Sequence, residues 1–257
     1  MKCKVCSSNS ELVFEQSGGV AITSLGKIIE AKADTFLCSY CSHCQTHPSI
    51  NLFEYYSNEY KTLSFSMDED DLYGYESGIP IYRNSHQAKT LSKKLKNIKE
   101  FNLSDGPLLD FGCGKSLVMK YFIKETPVEN VYLYDVSNDY IKFWKSFLPS
   151  EQYACFDLPP KWDGFFTLIT SFFSLEHVAD PISELKKINQ LLKKDGLVYI
   201  VVPNMYSENI ADMIVVDHIH HYSEPSMELL LNNTGFEMIE ADHLSHAQGS
   251  IYIGKSL

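Results

Sequence analysis

The sequence lacks any run of 18 or more apolar residues, and its first residues, Met1 to Cys6, lack the apolar stretch of a secretory signal. We therefore expect no membrane span and a cytoplasmic location. Basic residues are also scarce, since 22 lysines and arginines stand against 33 aspartates and glutamates, a formal net charge of −11. Because phosphate contacts require a basic surface, this balance argues against nucleic acid as the main partner.

Two glycine-loop patterns of nucleotide-binding proteins are also missing. The segment from Leu108 to Ser116 reads Leu-Leu-Asp-Phe-Gly-Cys-Gly-Lys-Ser. It lacks the third glycine of the dinucleotide fingerprint Gly-x-Gly-x-x-Gly and the spacing of the phosphate loop Gly-x-x-x-x-Gly-Lys-Ser. What is present is an apolar run, a Gly-x-Gly turn and an amphipathic stretch, Leu117 to Lys124, a pattern typical of strand, tight turn and helix. This pattern predicts a nucleotide-type cofactor at the turn.

From Pro107 onward, strand-like and helix-like stretches alternate, and three of the predicted strands end in an aspartate, at positions 110, 135 and 157. Alternation of this kind predicts an α/β fold with a Rossmann-like, seven-stranded, mostly parallel sheet and helices on both faces. Ligands of such sheets bind beyond the carboxyl ends of the strands. Asp135, which lies 21 residues after Gly114, can accept both ribose hydroxyls of an adenosine ligand.

Five of the seven cysteines lie in the first 44 residues, which in a cytosolic chain favours a metal site over disulfides. Two Cys-x-x-Cys pairs can each present two thiolates to one tetrahedral zinc ion. We predict a small N-terminal zinc module, residues 1–50, whose structural metal site consists of Cys3, Cys6, Cys41 and Cys44. Spacing alone leaves open three further ligands, namely Cys38 of the overlapping pair Cys38-x-x-Cys41, His43 and His47.

Residues 51–83 are rich in tyrosine and acidic side chains and show no single periodicity. We interpret them as an aromatic connector, whose rings pack on the main domain or line the mouth of an active site. Apolar residues at helical spacing begin near Asn84, and we assign residues 84–257 to the main domain.

Five segments of this domain, in order, resemble the motifs of class I methyltransferases that use S-adenosylmethionine. They are the glycine segment 108–114, the second-strand acid in 134–137, the segment 156–158, the fourth-strand segment 166–178 with its Leu-Glu-His ending, and the fifth-strand segment 191–204. The resemblance implies a methyltransferase domain with S-adenosylmethionine as its cofactor. Lys115-Ser116 departs from the family, which more often has a small residue and glycine there.

The front of the chain resembles bacterial methyltransferases with an N-terminal zinc-binding segment. Several of those act on sugars, often nucleotide-linked or destined for surface polysaccharide, which implies a small, sugar-containing acceptor. Cys44-Gln45 departs from the Cys-Gly that usually follows the second cysteine pair.

The resemblance also implies cofactor contacts. Asp110 would orient the loop or reach the amino group of the methionine part, Asp135 would hold the ribose, and Asp157 with Leu158 would flank the adenine. The full predicted set is Asp110, Gly112, Cys113, Gly114, Asp135, Val136, Asp157, Leu158 and Ser171.

An oxygen acceptor loses its proton as the new bond forms, and histidine, with an ordinary pKa of about 6.5, suits that role. His177 follows the fourth strand at the expected position of the methyl group, so we predict it to be the base or an acceptor-positioning group. We predict that Glu176 binds acceptor hydroxyls and that His218 and His221 shape the acceptor pocket. The His-x-His-His run at 218–221 is also rich in potential metal ligands.

Two other functions compete with methyl transfer. One is a methyltransferase-like binding or assembly module without chemistry. The other is an NAD-dependent sugar enzyme, which the missing third glycine and the absence of a Tyr-x-x-x-Lys pair in the expected place disfavour. His243 and His246 are expected to be ordinary surface residues. The sequence leaves the oligomeric state open.

Overall fold

The structure, a computed structural model, describes residues 1–16, 18–51, 54–55, 69–99, 101–126, 128, 130–207, 214–246 and 248–257. The predicted aromatic connector lies largely outside these residues, since residues 52–53 and 56–68 are not among them. Within the described part of the chain, no helix is long and apolar enough to cross a membrane.

The first 50 residues form five short strands, which are β1 (Ser10–Phe14), β2 (Val20–Ile22), β3 (Ile28–Glu30), β4 (Ala33–Cys38) and β5 (Cys44–Pro48). β2 and β3 pair as an antiparallel hairpin, and β4 pairs antiparallel with both β1 and β5. A second hairpin, β6 (Leu72–Glu76) with β7 (Ile79–Tyr82), leads directly into the helix α1 (Arg83–Asn97).

Strands and helices then alternate. They are β8 (Leu108–Phe111), α2 (Leu117–Glu125), β9 (Val131–Asp135), α3 (Ile141–Trp144), β10 (Tyr153–Cys155), β11 (Phe166–Phe172), α4 (Pro181–Leu191), β12 (Leu192–Pro203), β13 (His220–His221), α5 (Glu224–Asn232), β14 (Phe236–Asp242) and β15 (Gly249–Ser256). The start of α4 follows from local chemistry. Asp180 accepts a hydrogen bond from the Ser183 amide at 3.1 Å, and Pro181 occupies the first helical position, where its missing N–H costs nothing.

The central sheet has seven strands in the order β10-β9-β8-β11-β12-β15-β14. Neighbours from β10 to β12 are parallel, whereas β15 is antiparallel to both β12 and β14. The predicted Rossmann-like, mostly parallel seven-stranded sheet is therefore confirmed. Dinucleotide-binding sheets have the strand order 3-2-1-4-5-6. This sheet differs from them because the antiparallel strand β15 lies between β12 and β14. The strand order reverses between β8 and β11, and such a reversal marks the ligand crevice of an open α/β sheet.

Helices cover both faces of this sheet. Since successive strand residues point to opposite sides, neighbouring residues of β8 pack on different helices. Leu108 packs with apolar residues of α1, α2 and α3, among them Leu91, Phe122 and Trp144. Its neighbour Leu109 packs with residues of α4 and α5 on the other face, among them Leu185, Ile188, Met227 and Leu230. The same second cluster includes Cys3, Val5, Cys38 and Cys41, so the N-terminal residues continue the core of the main domain.

The N-terminal strands also share a sheet with the main domain. β13 pairs antiparallel with β5, with His220 opposite Gln45 and His221 opposite Cys44, which gives a four-stranded sheet in the order β1-β4-β5-β13. Residues 1–50 therefore complete their sheet with a strand from the segment that precedes α5.

Candidate active site at the carboxyl edge of the sheet

The glycine turn follows β8 and brings two loops together. Gly112 has a φ of 69° and Gly114 a φ of 50°, both in the left-handed region that favours glycine. A Cβ atom on Gly112 would lie 2.2 Å from the Ser174 Oγ, so only glycine lets the loop after β11 approach this closely. The predicted tight turn is therefore present, and it lies beside the start of the Leu175–His177 segment.

Asp110 is fully buried at the end of β8. Its two carboxyl oxygens accept hydrogen bonds from the Ser116 hydroxyl at 2.7 Å and the Thr170 hydroxyl at 2.9 Å. Burial nevertheless raises the pKa of this carboxyl to about 6. Ser116 adopts a left-handed conformation with φ 54°, which explains how the Lys115-Ser116 departure fits the turn: the serine hydroxyl fastens the turn to Asp110.

Asp135 ends the neighbouring strand β9 and faces the same turn. Its carboxyl oxygens accept hydrogen bonds from the Gly114 amide at 2.8 Å and the Ser137 amide at 2.9 Å. Burial raises the pKa of the Asp135 carboxyl to about 6. Each carboxylate oxygen has a second lone pair, so these two bonds leave acceptor capacity for hydroxyl groups of a ligand.

The other predicted cofactor residues surround this turn unevenly. Val136 is 61% exposed, Asp157 is exposed and Leu158 is half-buried, so all three can meet a bound ligand. Ser171 is buried within β11. Cys113 is half-buried in the glycine turn, and burial raises the pKa of its thiol. Sequence reasoning missed Trp144, whose indole N–H donates to the Gly114 carbonyl at 2.8 Å.

The predicted catalytic pair lies in a short 3-10 helix, Leu175–His177, directly after β11. The Nδ1 atom of His177 lies 2.8 Å from the Asp217 carbonyl oxygen, so Nδ1–H donates and Nε2 presents its lone pair. Nε2 is 3.8 Å from Oε1 of Glu176, which is fully buried. Burial, together with neighbouring His218, lowers the pKa of His177 to about 4, so the imidazole is neutral at pH 7.

His218 and His221 occupy different surroundings. The His218 ring centroid lies 4.9 Å from that of His177, and ligand atoms of Glu176, His177 and His218 all lie within 4.8 Å of one another. His221 instead lies in β13, where its Nε2 is 3.1 Å from the Thr46 hydroxyl. The structure therefore brings His218 to the predicted site and gives His221 a partner in the N-terminal sheet.

Asp217 is a residue that sequence reasoning did not select. It is fully buried, and its carboxylate accepts hydrogen bonds from the Ser24 amide at 2.7 Å, the Ser24 hydroxyl at 2.6 Å and the Tyr55 hydroxyl at 3.3 Å. Because its carbonyl holds His177, Asp217 connects the β2–β3 region to the predicted base. The only signal for Asp217 in the sequence was its position directly before His218.

The cysteine group differs from the predicted one. Ligand atoms of Cys3, Cys6, Cys38 and Cys41 lie within 4.8 Å of one another, so Cys38 takes the place predicted for Cys44. The Sγ atoms of Cys3 and Cys41 are 3.6 Å apart and those of Cys6 and Cys38 are 3.5 Å apart, close to the spacing of about 3.8 Å for thiolates on a tetrahedral zinc ion. The residues present therefore fit a four-thiolate zinc site.

Local backbone geometry explains why Cys38 replaces Cys44. The turns Cys3–Cys6 and Cys38–Cys41, here called the cysteine knuckles, close in the same way. The Ser7 amide donates to the Cys3 carbonyl, and the Ser42 amide donates to the Cys38 carbonyl. Ser7 and Ser42 both have a φ near 60°. Cys44 instead begins β5, where it lies opposite Leu37 and His221. The exposed His47 lies outside the cysteine group.

A chain of side-chain contacts leads from the cysteine group toward the Leu175–His177 segment. The His43 Nδ1 atom is 3.5 Å from the Cys3 Sγ, and its Nε2 is 3.2 Å from Nδ1 of His220. Nε2 of His220 is 2.9 Å from the Val178 carbonyl oxygen, immediately after His177. The His43, His220 and Tyr222 rings stack on one another, with centroids 5.1–5.6 Å apart.

The two histidines expected at the surface are not both there. His246 is 2% exposed, because its ring packs against Phe173, His86 and Tyr73. His243 is half-buried and contacts the Ser250 hydroxyl at 2.9 Å and the Glu224 carboxylate at 3.1 Å. The prediction for His246 is therefore wrong.

Residues 83–241 match the family described as methyltransferase domain, which covers the glycine turn, both buried aspartates and His177. The chain belongs to this methyltransferase family. Methyl transfer is the reaction class of this family, and the cationic sulfonium of S-adenosylmethionine, the cofactor expected from the sequence, is compatible with a turn bordered by two buried carboxylates.

Individual relatives of the methyltransferase are distant. It is 33% identical to the zebrafish (Danio rerio) mitochondrial arginine-hydroxylase NDUFAF5 over 91 residues, which are 35% of this chain and 28% of that relative. A solved S-adenosylmethionine-dependent methyltransferase from Clostridium acetobutylicum superposes with a TM-score of 0.54 at 13% identity, covering 67% of this chain and 92% of that one. The [4+2]-cyclase SpnF superposes with a TM-score of 0.50 at 14% identity, covering 67% and 80%. At such identities these structures establish the fold alone.

Proposed function

We propose that this methyltransferase transfers the methyl group of S-adenosylmethionine to a hydroxyl group of a small, sugar-containing acceptor, with His177 as the general base. The arrangement of His177 is the observation that carries the proposal. Its Nδ1–H is fixed on the Asp217 carbonyl, its Nε2 is an acceptor, and it directly follows the strand that borders the glycine turn. The front-end resemblance to bacterial sugar methyltransferases supports the acceptor class.

The cofactor side of the proposal rests on the two buried aspartates. Asp135 would accept the ribose hydroxyls, while Asp110 would hold the turn through Ser116 and lie near the cofactor's amino group. Gly112, Cys113, Gly114 and Ser171 would border the cofactor, and Val136, Asp157 and Leu158 would contact its adenosine part. Burying two carboxylates is unfavourable without compensation, and a ligand carrying sulfonium and ammonium charges supplies it.

S-adenosylmethionine, when bound, supplies a methyl group activated by a positively charged sulfur. His177 Nε2 would receive the proton that the acceptor hydroxyl releases as the new carbon–oxygen bond forms and the carbon–sulfur bond breaks. Glu176, 3.8 Å from that nitrogen, would offset the charge of the resulting imidazolium. A positioned base of this kind contributes roughly 10²- to 10⁴-fold to a rate.

A structural zinc ion on Cys3, Cys6, Cys38 and Cys41 is part of the proposal. Four thiolates leave no open coordination position, so the ion would hold the N-terminal strands in place without taking part in the reaction. Those strands supply Ser24 to Asp217, and Asp217 orients His177.

A binding or assembly module without methyl transfer is the second candidate. The similar fold of SpnF, which is described as a [4+2]-cyclase, shows that proteins of this fold are not all named for methyl transfer. Such a module would bind the cofactor or its product without turning over any acceptor.

A methyl-transfer screen over nucleotide sugars and free sugar phosphates, with S-adenosylhomocysteine release as the readout, tests the proposal. His177→Gln should lower kcat by 10²-fold or more, whereas His47→Gln, which changes an exposed histidine of β5, should not. With the cofactor saturating, kcat/KM should stay level from pH 8 to about pH 5 and fall below it, since His177 must be neutral and its pKa is lowered to about 4. Full activity of His177→Gln would contradict the assignment of the base.

A further inference from the structure

Arg83 is the only arginine among the 257 residues of the chain. It begins α1, and its guanidinium carbon lies 4.5 Å from the centroid of the Phe173 ring. No carboxylate in the described ranges forms an ion pair with it. A guanidinium stacked on a ring keeps the donors along its edge available, and these donors match phosphate and carboxylate oxygens in pairs.

Buried His246 lies against the same ring. The Gln248 amide donates to its Nδ1 at 3.2 Å, so Nδ1 is the acceptor and Nε2 carries the hydrogen. That Nε2–H is buried and has no acceptor among the described residues. Since leaving a buried donor without an acceptor is unfavourable, this hydrogen is a candidate donor to a ligand oxygen.

His86 completes a basic group around these two residues. Its ring centroid lies 5.7 Å from that of His246, and its Nε2 is 3.2 Å from the Ser245 carbonyl oxygen. Burial, together with the neighbouring charges of His86 and Arg83, lowers the pKa of His246 to about 3, so this imidazole is neutral at pH 7. The guanidinium of Arg83 therefore supplies the positive charge that a site for an anion requires.

The amide donors at the start of α1 are not part of this group, because they already have an anionic partner. The Asp70 carboxylate accepts hydrogen bonds from the Asn84 amide at 2.9 Å and the Ser85 amide at 3.2 Å, and from the Asn84 side chain at 2.6 Å. Side chains rather than a helix terminus would therefore hold a ligand here.

The basic group borders the proposed acceptor site. Phe173 lies four residues before His177 and immediately precedes Ser174. The hydroxyl of Ser174 packs on Gly112. A Cβ atom on Gly249 would lie 2.9 Å from Nδ1 of His246 and 3.1 Å from Cζ of Phe173, so both rings converge where β12 ends and β15 begins. This is the carboxyl edge of the sheet, on which the cofactor turn also lies.

We propose that Arg83 and His246, with His86 beside them, form a subsite for an anionic group of the methyl acceptor, a phosphate ester or a carboxylate. This inference rests on the proposed function and narrows its substrate class to acidic acceptors such as sugar phosphates. The guanidinium of Arg83 binds two oxygens of the anion. The Nε2–H of His246 donates to a third oxygen of a phosphate ester, or to one of the same two oxygens of a carboxylate.

Calorimetric titration of the zinc-loaded full chain, with and without S-adenosylhomocysteine, tests this subsite. The probes are inorganic pyrophosphate and acetate. One of them should bind, and Arg83→Gln and His246→Gln should each weaken that binding about tenfold or more. Lys89→Gln is the matched control, since it removes an exposed positive charge from the same helix and should have no effect. Preference for pyrophosphate assigns a phosphate ester, and preference for acetate assigns a carboxylate.

Three results would overturn the subsite. They are the binding of neither probe, an equal loss in Lys89→Gln, and a loss of S-adenosylhomocysteine affinity in Arg83→Gln with anion binding unchanged, which would assign Arg83 to the cofactor's own carboxylate. Failure of the wild-type chain to bind S-adenosylhomocysteine would reject the proposed function separately, because the anion titrations are also made without it.

Discussion

At the scale of single residues, the glycine turn after β8 is bordered by two buried carboxylates. Asp110 and Asp135 both have hydrogen-bond donors, yet burial raises the pKa of each to about 6, against an ordinary value of 3.8. A carboxyl whose pKa is raised in the folded state contributes stability that is complete below pH 3.8 and is lost as the pH rises through 6. In the cofactor-free protein, both residues therefore oppose folding at neutral pH.

Replacing Asp110 by asparagine should expose this cost. The amide keeps a partner in the Ser116 hydroxyl, and the Thr170 hydroxyl can turn to the Leu109 carbonyl, 3.4 Å away. Since the pKa differs by about two units, Asp110→Asn should raise the free energy of unfolding at pH 8 by about 2–3 kcal/mol, with a gain that shrinks toward pH 4. Urea unfolding of the cofactor-free protein at both pH values measures it.

The exposed Asp157 is the matched control, because Asp157→Asn should leave the free energy of unfolding unchanged at both pH values. A loss of stability in Asp110→Asn at pH 8 would show that the ionised carboxylate supports the fold.

The position of a residue could be predicted where a local pattern determines it, and could not where its partners are remote in sequence. The places of Asp110, Asp135 and the glycines at the ends of strands follow directly from a strand that ends in a tight turn. Asp217 could not be found in this way, because its donors Ser24 and Tyr55 are 193 and 162 residues away along the chain. The burial of His246 likewise depends on Phe173, His86 and Tyr73, which come from three other parts of the chain.

At the scale of elements, the two cysteine knuckles show which part of the observed cysteine group the sequence predicted. Cys3-x-x-Cys6 and Cys38-x-x-Cys41 are each followed by a serine with positive φ, so the repeated pattern is Cys-x-x-Cys-Ser. Pairing Cys41 with Cys44 overlooked this repeat. The glutamine after Cys44 was a usable signal, because serine follows both Cys6 and Cys41, whereas Gln45 takes that position after Cys44 and lies within β5.

Serine substitution of the two competing cysteines separates the two ligand sets. Cys38→Ser should lower the zinc content of the purified chain well below one ion and lower its melting temperature, because one of four thiolates is lost. Cys44→Ser, which also changes a buried cysteine, should retain one zinc ion per chain. Elemental analysis distinguishes the two. Zinc lost from Cys44→Ser and kept by Cys38→Ser would support the set predicted from spacing.

At the scale of the whole molecule, the alternating pattern was sufficient to predict the sheet but not its connection to the N-terminal strands. Strands buried on both faces appear as continuous apolar runs, which is why β11 and β12 were located from the sequence. β13 has only two residues, both histidines, and no pattern of its own. Its pairing with β5 joins the N-terminal strands to the segment that carries Asp217 and His218.

This connection gives the N-terminal strands a place in the proposed chemistry. They hold Asp217 through Ser24, they reach the Val178 carbonyl through His43 and His220, and their cysteines continue the core beneath α4 and α5. The glycine turn lies beside Ser174, the residue that precedes the Leu175–His177 segment. The proposed acceptor site is therefore assembled from both parts of the chain.

The central claim is that the turn after β8 and the carboxylate after β9 hold S-adenosylmethionine. Calorimetric titration of the wild-type chain and of Asp135→Ala with S-adenosylhomocysteine and with NAD tests it most directly. We predict one S-adenosylhomocysteine bound per chain, no binding of NAD, and an affinity at least about tenfold weaker in Asp135→Ala, because the carboxylate that would accept the ribose hydroxyls is gone. Binding of NAD in place of S-adenosylhomocysteine, or an unchanged affinity in Asp135→Ala, would contradict it.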